Sequence, residues 1–167
     1  MINRYSLADH LVKVTLPANI QYQGADLGGM VLQFGGPGNN NNNGSFMGSI
    51  TVQRSTNTWS TTGDATGSWV HNKTLDRTGS VSLELRQVSD DVIRLQMLAN
   101  IFETQEVQEG CRIEVYSGNV TVAVADDCYI TKIPNQVYGD SAANQTWEWT
   151  SGKVTFPATT SWPKERV

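Results

Sequence analysis

Few residues in this 167-residue chain have the type and spacing that chemistry needs. His10 and His71 are its only histidines. Neither has a carboxylate or cysteine at the i,i+4 or C-x-x-C spacing from which a metal site is built locally. Cys111 and Cys128 match no zinc or redox motif. They read as two reduced, half-buried side chains, with a disulfide between them as the second reading, because spacing alone does not place two Cβ atoms. Asp90-Asp91 is accounted for as the first turn of a helix. Asp126-Asp127 reads as a strand end and lacks the alternating oxygen ligands of a calcium loop. Glu84 and Glu148 could meet across a sheet as glycosidase carboxylates do, but the sequence gives no separation to test. No G-x-S-x-G, P-loop or dinucleotide-binding glycine pattern occurs, and Gly35-Gly36-Pro37-Gly38 leads into asparagines rather than a helix. The expectation is a non-enzyme with no catalytic residue, no metal site and no cofactor.

The elements that carry these residues are mostly strands. Leu11–Leu16 is a short strand ended by Pro17, and Gly48–Arg54 alternates with Ile50 and Val52 on one face. The segment from 24 to 47 is rich in glycine and asparagine and reads as a loop, its Asn39-Asn40-Asn41-Asn42-Asn43 tract exposed. Thr58–Thr62 and Ser68–His71 flank a glycine-bounded turn, Gly63–Gly67, as a hairpin does. Ser80–Val88 shows the cleanest alternation, with Val81, Leu83 and Leu85 on one face and Ser82, Glu84 and Arg86 on the other.

Ser89 then caps a helix running from Asp90 to about Thr104. Val92, Leu95, Leu98, Ala99 and Phe102 share one side of it, and Ile93, Met97 and Ile101 lie on another. A helix apolar on two sides asks for two covers. Cys111–Tyr116, Val120–Ala125 and Cys128–Ile133 read as three further strands, followed by Thr146–Thr150 and Lys153–Phe156, with an exposed arm from about residue 157. The fold class is mainly β: an antiparallel β-sandwich or barrel in one domain, with one packed helix at about 90–104.

Composition narrows the partners. Sixteen acids against twelve bases give a net charge of −4, which argues against a protein that grips phosphate backbones. The longest apolar runs are a few residues, too short to span a bilayer, and the first residues lack the apolar core of a secretory signal. Trp147 and Trp149, at i and i+2, share one strand face, and Trp59 and Trp69 flank the hairpin. They are core or interface anchors, or an aromatic platform for glycans.

Several stretches together resemble the tail tube proteins of bacteriophages, most of all the small tube proteins of contractile-tailed phages. They are Gly48–Val52, Asn57–Gly67, Arg77–Ser89 followed by a helix, the opening Tyr5–Asp9, Cys128–Pro134 and Trp147-Glu148-Trp149. The resemblance covers about residues 5 to 156, and the Asn39–Asn43 tract departs from it. It implies hexameric rings in which each subunit lends strands to a continuous inner barrel. The rings stack into a tube that conducts DNA and tape-measure protein, with sheath and baseplate proteins as further partners, in a virion tail assembled in the bacterial cytoplasm. It also implies roles. Ser82, Glu84 and Arg86 become candidates to face the lumen. Ile93, Met97, Leu98, Ile101 and Phe102 become candidates for a helical contact between subunits, and Asn39–Asn43 for a loop reaching the next ring. The alternatives are another virion β-domain (tail tip, adaptor or decoration) and a glycan-binding module.

Overall fold

The computed structural model describes residues 10–35, 47–87, 90–118 and 120–157. The expected roles of Asn39–Asn43, the Ser89 cap and the arm beyond 157 fall outside them. The chain order is β1 (His10–Thr15), β2 (Gln21–Tyr22), β3 (Ala25–Asp26), β4 (Val31–Gly35), β5 (Met47–Arg54), β6 (Trp59–Gly63), β7 (Trp69–Lys73), β8 (Gly79–Arg86), α1 (Asp90–Thr104), β9 (Cys111–Ser117), β10 (Val120–Lys132) and β11 (Asn144–Thr155). Seven strands form one antiparallel sheet in the order β4-β1-β9-β10-β11-β8-β5, while β2–β3 and β6–β7 are separate two-stranded ribbons. The architecture is mainly β with one helix among the described residues, as the alternation in the sequence requires.

One face of the sheet is the core. Val81, Leu83 and Leu85 of β8 are fully buried, Val81 in register with Trp149 of β11, Leu83 with Trp147 and Leu85 with Gln145. Each indole removes a large apolar area from water, so this pair anchors the core. Gly79 starts β8 where any side chain would overlap the carbonyl oxygen of Gln53, which lets β5 pair tightly with β8.

The strand expected to stop at Asp126-Asp127 does not stop. β10 runs through both acids for 13 residues, with a register shift against β9 between Ala125 and Cys128. Asp127 takes a left-handed conformation (φ 55°), and its Oδ1 accepts the Gly110 amide at 2.9 Å. This is a β-bulge, which bends the strand and increases its twist. β11 is likewise one strand of 12 residues rather than two.

The bulge also brings Cys111 and Cys128 opposite each other. Both are free thiols and fully buried, not half-buried. Burial pushes the Cys128 thiol up to about 11 and raises Cys111 further still.

Helix α1 begins at Asp90 and ends at Thr104, whose Oγ1 donates to the Asn100 carbonyl at 2.8 Å. Its second cover comes from the same chain. Leu16, Tyr22, Leu27, Met30 and Leu32 lie along one side of it, and Gln105 Nε2 donates to the Gln21 carbonyl at 2.7 Å.

Two results are expected. Leu83→Ala should cost about 2–5 kcal/mol of unfolding free energy in chemical denaturation, the range for deleting a fully buried leucine side chain. Both thiols should resist a thiol-specific reagent at neutral pH and react only on unfolding, because the thiolate is the reactive form.

Candidate assembly surface

The helix offers less to a neighbour than its sequence suggests. Leu98 and Ile101 are each 3% exposed and belong to this chain's own core, and Phe102 packs edge-on against Tyr129 with ring centroids 5.4 Å apart. Leu98 and Ile101 are therefore corrected from open contact residues to internal ones, and Phe102 is half-buried. The reason is the second cover from residues 16–32, a stretch too broken by glycine to announce itself. Ile93 (49% exposed) and Met97 (41%) remain open, and Met97 borders a groove with Met30, Leu27 and Tyr22.

Ser82, Glu84 and Arg86 stand on the face of β8 opposite the core. Glu84 accepts Ser49 Oγ at 3.3 Å and Asn144 Nδ2 at 3.0 Å, and the absence of a side chain at Gly48 makes room for its carboxylate. In register around them are Thr51 and Gln53 of β5 and Thr146, Glu148 and Thr150 of β11, with Lys132 of β10 beside Glu148. Hydroxyls dominate this wall, and its charges are two acids, Glu84 and Glu148, and two bases, Arg86 and Lys132.

Trp147 and Trp149 are 0% exposed, which removes them as a glycan platform. Their indole Nε1 atoms have no hydrogen-bond partner among the described residues. Trp59 and Trp69 are the opposite case, 59% and 67% exposed. They belong to the β6–β7 hairpin, paired from Trp59↔Lys73 to Gly63↔Trp69. Every residue from 59 to 73 is exposed. An isolated two-stranded ribbon is marginal in water at best, so this hairpin is held by local devices.

At its tip, Asp64 Oδ1 accepts the Thr66 amide at 2.9 Å, the Thr66 hydroxyl at 2.6 Å and the Ser68 amide at 3.0 Å. Along its length, Thr61 Oγ1 and His71 Nδ1 are 2.8 Å apart, and Lys73 Nζ lies 5.6 Å from the Trp59 ring centre. At its base, Asp76 Oδ1 accepts both the amide and the hydroxyl of Thr78. The sequence identified the turn. It carried no signal that the strands beside it have no cover in their own chain.

The sheet leaves two edges, β4 and β5. Edge strands invite pairing unless charge, proline or a bulge blocks them. β5 reads Met-Gly-Ser-Ile-Thr-Val-Gln before its first charge at Arg54. No group of three or more His, Cys, Asp and Glu side chains converges among the described residues, and no helix there is long and apolar enough to cross a membrane.

The fold and this surface define a class: a curled antiparallel sheet with one helix, an uncovered hairpin and an uncharged edge. No family model matches the chain, and no curated protein matches it. Five solved chains match it. One belongs to a structure described as the cryo-EM structure of the anti-feeding prophage cap, the AFP tube terminating cap. It is 12% identical with a TM-score of 0.47, and the match covers 95% of this chain and 95% of that chain.

The hairpin tip is expected to be acid-sensitive. Hydrogen bonds from the Thr66 side chain and from backbone amides hold the Asp64 carboxyl below its ordinary value of 3.8. A depressed carboxylate contributes order that is present above the unfolded value and is lost as pH falls through the folded one. Protection factors of the Thr66 and Ser68 amides should therefore fall below that range, and Asp64→Ala should bring the same loss at neutral pH.

Proposed function

We propose that the chain is a structural, non-enzymatic subunit of a phage-type tail tube. Copies form rings, hexameric as in the proteins it resembles, and the rings stack around a channel for DNA and tape-measure protein. Sheath and baseplate proteins are its further partners in the virion tail, and it does not insert into a membrane. The observation that carries this reading is the β6–β7 hairpin, a ribbon bearing two exposed tryptophans that no other described residue covers. Large exposed apolar side chains on a projecting element mark a contact surface. The β5 edge, uncharged up to Arg54, adds a second such surface, of the kind that neighbouring subunits close in a barrel. The motifs from Gly48 to Ser89 and the late Trp147-Glu148-Trp149 supply the likeness to tube proteins.

The test is negative-stain electron microscopy of the purified chain, with light scattering across a concentration series. Six-fold rings or evenly striated hollow tubes are expected. A monomer at every concentration, with and without preformed tail ends as nuclei, overturns the proposal. Replacing residues 59–73 with a Gly-Gly turn should abolish assembly while leaving the melting transition of the sheet in place.

A further inference from the structure

β10 is paired unevenly. β9 accompanies it from Val120 to Cys128, whereas β11 joins only at Val124, opposite Thr155. Among the described residues, nothing pairs with the β11 side of Val120–Ala123. The Val154 amide donates away from β10, to the Arg77 carbonyl at 2.7 Å, so in a strand the amides of residues 153, 155 and 157 face β10. Residue 157 is a proline, which has no amide hydrogen to give opposite Val122.

A second feature lies beside this open edge. The β9–β10 register passes from Thr121↔Tyr116 to Ala123↔Val115, which leaves Val122 as an extra residue. Such a bulge re-aims a side chain, and Val122 lines a cleft of about 460 Å³ with Ile50, Val52, Val115, Ala123 and Phe156. At about 30 Å³ per water, that is room for roughly fifteen waters, ample for an indole ring. His10, Gly48 and Ser49 complete the lining, which contains no Asp, Glu, Lys or Arg. Val120, Val122 and Phe156 are all exposed.

The occupant must bring free backbone groups, a large apolar side chain and little charge. The β6–β7 hairpin fits this surface. Among the described residues its two strands pair only with each other, Trp59, Trp69 and Val70 are exposed, and the strands carry one charge, Lys73 at the base over the Trp59 ring. Depletion of charge on both surfaces is the pattern of an interface core. Among the described residues the hairpin has no cover, and we assign the matching surface to another copy.

We propose that the hairpin of one copy adds to the open edge of β10 in the next, with an indole seated in the Val122 cleft. The contact is head-to-tail, so it repeats from copy to copy and generates a closed ring or a helical filament. The inference rests on the assembly proposed above and names its contact.

The experiment places the photo-cross-linker p-benzoylphenylalanine at position 122 and irradiates mixed ¹⁴N- and ¹⁵N-labelled full chains. Cross-links from one copy to residues 59–73 of another are expected. Val122→Glu should weaken association at least about tenfold with its melting transition retained, since burying an unpaired carboxylate is costly. If the chains assemble but cross-link elsewhere, or if Val122→Glu assembles like the parent chain, the hairpin contact is overturned and the tube reading stands. If the parent chain does not assemble at all, both fall.

Discussion

The bend in β10 is the constraint on which the rest of the molecule depends. A seven-stranded antiparallel sheet with one apolar face has to curl to hide that face, because a single short helix cannot cover it. β10 is bulged at Asp126-Asp127, where the left-handed Asp127 accepts the Gly110 amide. Gly110 is required there, since a side chain at that position would overlap the Cys128 backbone. Upstream of the bend β10 pairs mainly with β9, and downstream with β11. The register opposite Cys111, the burial of both thiols and the approach of β5 toward β9 and β10 all follow from this one local geometry.

Much of this was legible in the sequence, and the misses share a cause. The alternation of Val81, Leu83 and Leu85 predicted a one-sided strand, and the structure buries all three. The helix bounds, Asp90 to Thr104, agree with the first-turn acids and the run of apolar residues. The failures are at places where tertiary structure decides. Two consecutive acids ordinarily punctuate a strand, and only the partner strand reveals that these two form a bulge. β2 and β3 have two residues each, too short for any period to be seen, yet their hairpin closes one side of the helix.

For the candidate surface the same division holds. Periodicity told that Trp147 and Trp149 share a face, and likewise Ser82, Glu84 and Arg86. It could not say which face of β11 the core would claim. A helical wheel placed Leu98 and Ile101 on two different apolar sides and asked for two covers, but it cannot say whether a cover comes from a neighbour or from elsewhere in the same chain. The hairpin turn was recognisable from its glycines, but isolation in space has no local signature. Val122 carried no signal either, since its role depends on being an extra residue of β10 against β9.

The wall around Glu84 has a consequence for whatever lies beside it. Glu84 and Arg86 share one strand, and Glu148 and Lys132 face each other across a ladder. Two acids and two bases interspersed on one wall sum to no net charge, and what field they leave is screened over a Debye length of about 8 Å at physiological ionic strength. The chain's net charge of −4 is therefore carried by other parts of its surface. A long polyion of either sign passing this wall meets hydroxyls that exchange hydrogen bonds with water, and no extended patch of potential on which to condense its charge.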